Sequence, residues 1–273
     1  MKLSHISILG LLLGISACES DSLLQPADDV LVVQAYLYAN EPVDDIRLTT
    51  MLPLDATEDA VMPPVNNATV RLLKHDQIYE LISSPGDSGY YHYGGTDLLV
   101  QAGDQFKLEI EFNGETVIGE TTVPGETVNA AISVTTLSIP APQDIFMSGL
   151  SMDDFTVTIT WDNEENDYFY VTTENMEDDP EPVNEDFGGF MRMRQFPPSR
   201  STEFTLNALQ FTHLGTYEIK VYRVNKEYAD LYDSQDQDSR SLNEPLSNIV
   251  NGLGIFSAFN SNANSLQFEA TEY

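Results

Sequence analysis

Phe106-Lys107-Leu108-Glu109-Ile110-Glu111-Phe112 changes character at every residue. In an extended chain Phe106, Leu108, Ile110 and Phe112 share one face, and Lys107, Glu109 and Glu111 share the other. That is the period-2 signature of a half-buried β-strand. Asn113-Gly114 follows, the residue pair that suits a two-residue hairpin turn, and Thr116 to Thr122 returns. Ala68 to Leu73, Ile78 to Ile82 and Tyr90 to Tyr93 are further strand candidates. Val30 to Tyr38 is apolar on both faces and reads as a strand buried on both sides. Many short strands separated by turn signals predict β-sandwich architecture.

Val123-Pro124-Gly125 marks a junction. Beyond it Phe155 to Trp161 alternates without a fault, and the lone Trp161 falls on the apolar side. Asp162 to Asp167 make a polar turn, with Tyr168 to Thr173 as the returning strand. Leu214-Gly215-Thr216-Tyr217 then opens another strand. A tyrosine two residues after a glycine turn resembles the tyrosine corner of Ig-like sandwiches, whose hydroxyl bonds back to the upstream backbone. With Trp161 it resembles a fibronectin type III domain. Lys226 to Gln235 predicts a helix with Tyr228, Leu231 and Tyr232 on one face. Leu266, Phe268 and Ala270 alternate as a final strand.

The expected fold is therefore all-β. Two Ig-like, fibronectin type III-like sandwiches stand in tandem, with a short helix and a last strand in the C-terminal segment. The expected boundaries are a leader at 1–17, an acidic tether at 18–29, a first sandwich at 30–123 and a second at 124–273.

The leader reading rests on Lys2, on the apolar stretch from Ile6 to Ile15, and on small residues before Cys18. About ten apolar residues are half of what a spanning helix needs. A cysteine directly after a small-residue site reads as a bacterial lipobox. Cleavage before Cys18 and lipidation of its thiol would anchor the chain, and several acyl chains on one cysteine hold stably. The competing reading is an ordinary cleaved signal. Glu19, Asp21, Asp28 and Asp29 resemble the acidic surface-export signal of Bacteroidota lipoproteins. Cys18 is the only cysteine, so disulfides contribute nothing and stability must come from buried cores; 41% apolar residues make that feasible.

Acidic residues number 44 against 12 basic ones, and removal of the leader leaves a net charge near −33. Such a surface repels nucleic acid and anionic headgroups. There is no Gly-x-Ser-x-Gly elbow, no phosphate loop and no thiol nucleophile, so no enzymatic activity and no cofactor is expected. Among 44 acids chance carboxylate pairs are inevitable and carry no argument for glycoside hydrolysis. His75, His92 and His213 are scattered, which gives a zinc or copper site no support. The acidic runs 162–167 and 177–181 are oxygen-rich enough for calcium but lack EF-hand spacing; solvated loop tips are the plainer reading. Met191 and Met193 flank Arg192 in an aromatic, Gly-rich stretch, which reads as an adaptable contact surface or a hairpin edge.

The best site candidates are Asn248, Asn251, Gly252 and Gly254, with Phe256 beside them. Glycine permits close backbone approach and asparagine tolerates left-handed turns. The segment is either a surface loop shaped for a partner or a tight turn that seats Ile249, Leu253 and Phe256 in the second core.

Glu227-Tyr228, Glu244-Pro245, Ser247-Asn248-Ile249 and Asn251-Gly252-Leu253-Gly254-Ile255-Phe256 together resemble the C-terminal pattern of a Bacteroidota lipoprotein family, domain of unknown function 4249. Leu246, directly after the Glu-Pro pair, departs from that pattern. The resemblance extends to the lipobox, the first sandwich and the Val123-Pro124 junction. It implies a lipid-anchored protein of the outer membrane, exposed at the surface, that is an accessory partner of a TonB-dependent receptor. The loops 139–154, 176–200 and 233–247 would then supply contact surface. The alternative is an adhesin-like module that binds an extracellular glycan, protein or divalent cation directly.

Overall fold

The computed structural model describes residues 30–52, 56–57, 59–140, 149–183, 196–235 and 247–273. The lipobox, the tether, Met191 to Met193 and Glu244-Pro245 lie outside the described residues, as does most of each expected contact loop.

The chain is almost all-β, with one short helix. Its first strands are β1 (Leu31–Tyr38), β2 (Asp45–Thr50), β3 (Thr69–Lys74) and β4 (Gln77–Ser83). They are followed by β5 (Tyr90–His92), β6 (Gln105–Phe112) and β7 (Glu115–Thr122). Then come β8 (Ala131–Ile132), β9 (Thr136–Ile139), β10 (Thr156–Thr160), β11 (Tyr168–Asn175), β12 (Glu203–Asn207) and β13 (Gly215–Val224). Helix α1 (Lys226–Gln235) precedes β14 (Ile249–Val250), β15 (Leu253–Asn260) and β16 (Leu266–Glu272). Among the described residues these make a 13-stranded mixed sheet and a 3-stranded antiparallel sheet.

The alternation in β6 does what its pattern predicts: Phe106, Leu108 and Ile110 are buried, and Asn113 turns with positive φ into β7. Strand β2 escaped the sequence reading because only Ile46 and Leu48 mark its buried face. Strand β1 buries Leu31, Val33, Ala35 and Leu37 completely, while its other face is half-buried.

The strand after the polar turn corrects one expectation. β11 pairs with β13 rather than returning along β10. Both edges of β10 are occupied, by β12 and by β8. The 162–167 segment therefore carries the chain from one sheet to the other. Asn163 holds it, accepting from the Asp167 N–H at 2.8 Å and donating to the Asp167 carbonyl at 3.0 Å. Trp161 and Phe169, at the two ends of the crossing, meet in the core with ring centroids 5.5 Å apart.

Two main cores result. The first gathers side chains of β1 to β7. The second lies between the 3-stranded sheet and strands β9, β11, β13 and β16, and includes Val157, Ile159, Ile219 and Phe268. The Tyr217 hydroxyl donates to the His213 carbonyl at 3.0 Å, as the corner pattern predicts.

The C-terminal segment divides between these cores. Ile249, Phe256 and Ala258 belong to the first core, not to the second, where Ile249 and Phe256 were expected. The reason is pairing: β15 lies parallel to β1, with Val32 opposite Leu253 and Tyr38 opposite Phe259. Leu266, Phe268 and Ala270 of β16 fill the second core. On the other face of β15, Ile255 and Phe259 join Tyr222, Tyr228 and Val224 in a third cluster beneath α1, where the Tyr228 and Phe259 rings meet edge to face at 4.7 Å.

Candidate functional site

The segment 247–256 leaves α1's side of the molecule and crosses to the free edge of β7. There Val250 and Ile249 pair with Ile118 and Gly119. Asparagine side chains cover the rest of that edge. Asn251 donates to the Thr116 carbonyl at 2.9 Å, and Asn248 lies over the Glu120 carbonyl at 3.4 Å. Asn225, just before α1, donates to the Thr122 carbonyl at 3.0 Å. An open strand edge invites pairing with other chains, and these amides close it.

Each candidate residue has a place in this arrangement. The Asn248 amide bonds both backbone groups of Phe256, at 2.9 and 2.7 Å. Asn251 is exposed and turns the chain in the left-handed region, φ 61°. Gly252 has no room for a side chain: a Cβ would sit 3.0 Å from Val117 and 3.1 Å from the Leu31 carbonyl oxygen. Gly254 is more constrained still, with φ +110° and a Cβ position 1.9 Å from the Val33 carbonyl oxygen. Phe256 is 0% exposed and presents no surface. The set that reads as a docking loop is thus brought together as the seam that closes the first core.

The surface nearest this seam is a cleft lined by Val30, Met51, Phe112, Asn113, Glu115 and Leu253, with Asn251 and Gly252. It lies where β1 begins. The Asn113-Gly114 and Asn251-Gly252 turns stand at that same end.

Residues that sequence reasoning passed over form the junction between the two cores. Arg223 reaches across Gly125, donating to Asp167 through Nε at 2.5 Å and to Glu165 through Nη2 at 2.5 Å. Its side chain is 15% exposed. The guanidinium supplies the positive charge within the acidic 162–167 run, the place where calcium was weighed. Among the described residues no three His, Cys, Asp or Glu side chains converge so as to hold a metal ion. In the second acidic run, Glu177 accepts from the Thr216 N–H at 3.0 Å. Buried Asn260 donates to the Pro124 carbonyl at 3.0 Å, and buried Thr127 donates to the Val221 carbonyl at 2.7 Å. Single polar residues scattered through 121–262 have no periodicity to reveal them.

One strongly perturbed pair borders the third cluster. Burial pushes the Tyr38 phenol well above its ordinary range, with the Asp45 carboxylate adding to the effect. Burial also raises Asp45, against the lowering effect of the bond that it accepts from the Tyr38 hydroxyl at 3.3 Å. His92 lies 3.0 Å from the Ser84 hydroxyl and His213 2.9 Å from that of Thr212; neither faces a nucleophile–base array.

A family model described as "Domain of unknown function (DUF4249)" matches residues 19–265. No curated protein matches the chain. Among solved structures the chain is similar to domains A168–A170 of titin, at 10% identity and a TM-score of 0.21. That alignment covers 72% of this chain and 61% of the titin chain, under two thirds of its length, and so loose a superposition carries no argument. Among the described residues no helix is long and apolar enough to cross a membrane.

Proposed function

Because this chain belongs to the DUF4249 family, we propose that it is a non-enzymatic lipoprotein of the outer membrane, held by lipidated Cys18 and facing outward, that acts as an accessory partner of a TonB-dependent receptor. The observation that carries this reading is the position of the tether entry. Val30 lies twelve residues after Cys18, so covalent geometry keeps it within about 40 Å of the anchor. The same end of the molecule carries the Asn113-Gly114 and Asn251-Gly252 turns and the cleft between them. An anchor at Cys18 directs this end toward the membrane and toward whatever protein is embedded in it. The half-buried apolar lining from Val30, Met51, Phe112 and Leu253 suits contact with protein. The surrounding acidity disfavours direct contact with anionic lipid.

The scaffold in this reading is Ig-like in its second half. Support comes from the crossing of the chain between sheets after Trp161, from the Tyr217 corner, and from a core between β8-β10-β12 and β11-β13-β16-β9. Function on such a scaffold resides in the surfaces it holds in place.

The test is affinity capture from gently solubilised native outer membranes, with a tag after the exposed Tyr273. Stoichiometric recovery of a TonB-dependent receptor supports the reading. The double variant Met51→Glu, Glu115→Arg, at cleft residues outside the core, should lose the receptor while the protein stays folded. Recovery of the lipoprotein alone overturns the proposal and moves attention to direct ligand binding.

A further inference from the structure

We infer that β14 and β15 form a latch: the core built by residues 30–123 closes only when a strand from the far end of the chain is inserted into it. Two edges of the first sheet stay open until then. On one side β1 pairs with β2, and its other edge, eight residues long, is filled by β15. On the other side β7 pairs with β6, and its outer edge is covered by β14 with the amides of Asn248 and Asn251. The same short segment therefore seals both. Between the two edges it also plugs the interior. Phe256 and Ala258 are 0% exposed, and Ile249 and Phe256 press on Gly119 so closely that a Cβ there would sit 2.9 Å from each.

Sequence distance makes this insertion late. The β3–β4 and β6–β7 hairpins close over a few residues and form early. The Val32–Leu253 pairing spans 221 residues, and the entropy of closing that loop must be overcome before the contact contributes. Residues of the second core, β8 to β13, lie between and have no such requirement for most of their pairing. The second core is thus the early unit and the first core the late one, in inverse order to the chain. Until the latch arrives, the first module exposes two unpaired edges.

The test follows refolding of the full mature chain, residues 18–273, by pulse-labelled hydrogen exchange. Amides of β1 and β7 are expected to gain protection in the same kinetic phase as those of β15, at least tenfold slower than amides of β10 and β12. Protection of β1 and β7 in an earlier phase than β15 overturns the proposal. A second measurement uses Gly254→Ala, which obstructs insertion at Val33. In that variant native-state exchange at β1 and β7 should rise at least tenfold while β10 and β12 keep their protection. Unchanged protection at β1 alongside lost protection at β15 would also overturn it.

Discussion

The side-chain amide of Asn248 replaces a strand for Phe256. Asn248 Oδ1 accepts the Phe256 N–H at 2.9 Å, and Asn248 Nδ2 donates to the Phe256 carbonyl at 2.7 Å. Phe256 stands in the middle of the first core, so these two bonds hold the backbone of its anchor residue.

Asn248→Ala leaves both Phe256 backbone groups without their partner. The expected loss is about 2 kcal/mol, read as a lower urea midpoint at unchanged slope. Asn248→Asp keeps the acceptor and loses the donor, and should fall between the two.

Two positive-φ glycines separate conformation from crowding. Gly114, φ +83°, has nothing within 4 Å of its Cβ position, so Gly114→Ala should cost only about 1 kcal/mol. Gly254→Ala meets the Val33 carbonyl as well, and its cost should exceed ~4 kcal/mol. Thermal melts of the two variants side by side measure the difference.

Arg223 is held by its planar fork as much as by its charge. Arg223→Lys keeps the charge but cannot donate to Asp167 and Glu165 in the same geometry; a loss of about 1–2 kcal/mol is expected. Denaturation at low and high salt should show the variant closer to the parent in high salt, because screening relieves the acidic run.

Asp45 predicts a pH dependence. Its folded-state pKa is raised by burial, so the fold favours the neutral acid. That contribution is fully present below the unfolded carboxylate range and is lost as pH rises through the folded value. Asp45→Asn removes the titration. Its melting temperature should exceed the parent's at pH 7, and the gap should close as pH falls below about 4. A gap independent of pH would contradict the assignment.

Much of the local structure was legible. Strands such as β6 and β10 show themselves because one face of each meets water and the other meets the core. The Tyr217 corner and helix α1 were readable for the same reason, local pattern. Strand β2 is short and has only two apolar residues to mark it. The candidate site was legible as a list of residues but not as an arrangement. Asn248 and Phe256 signal a turn and an apolar residue, and nothing near them names Gly119 or Val33 as neighbours.

The sequence by itself determined the β character, the turn positions, the acidic surface and the family pattern, because each arises from residues close together in the chain. Tertiary structure alone decided that β11 crosses to β13, that Arg223 fills the acidic turn, and that β15 lies along β1. Those outcomes depend on which edges remain unpaired and which cores remain unfilled after local structure has formed. A pairing across 221 residues leaves no periodic trace, since its physical cause is the shape of the vacancy and not the pattern of the strand that enters it.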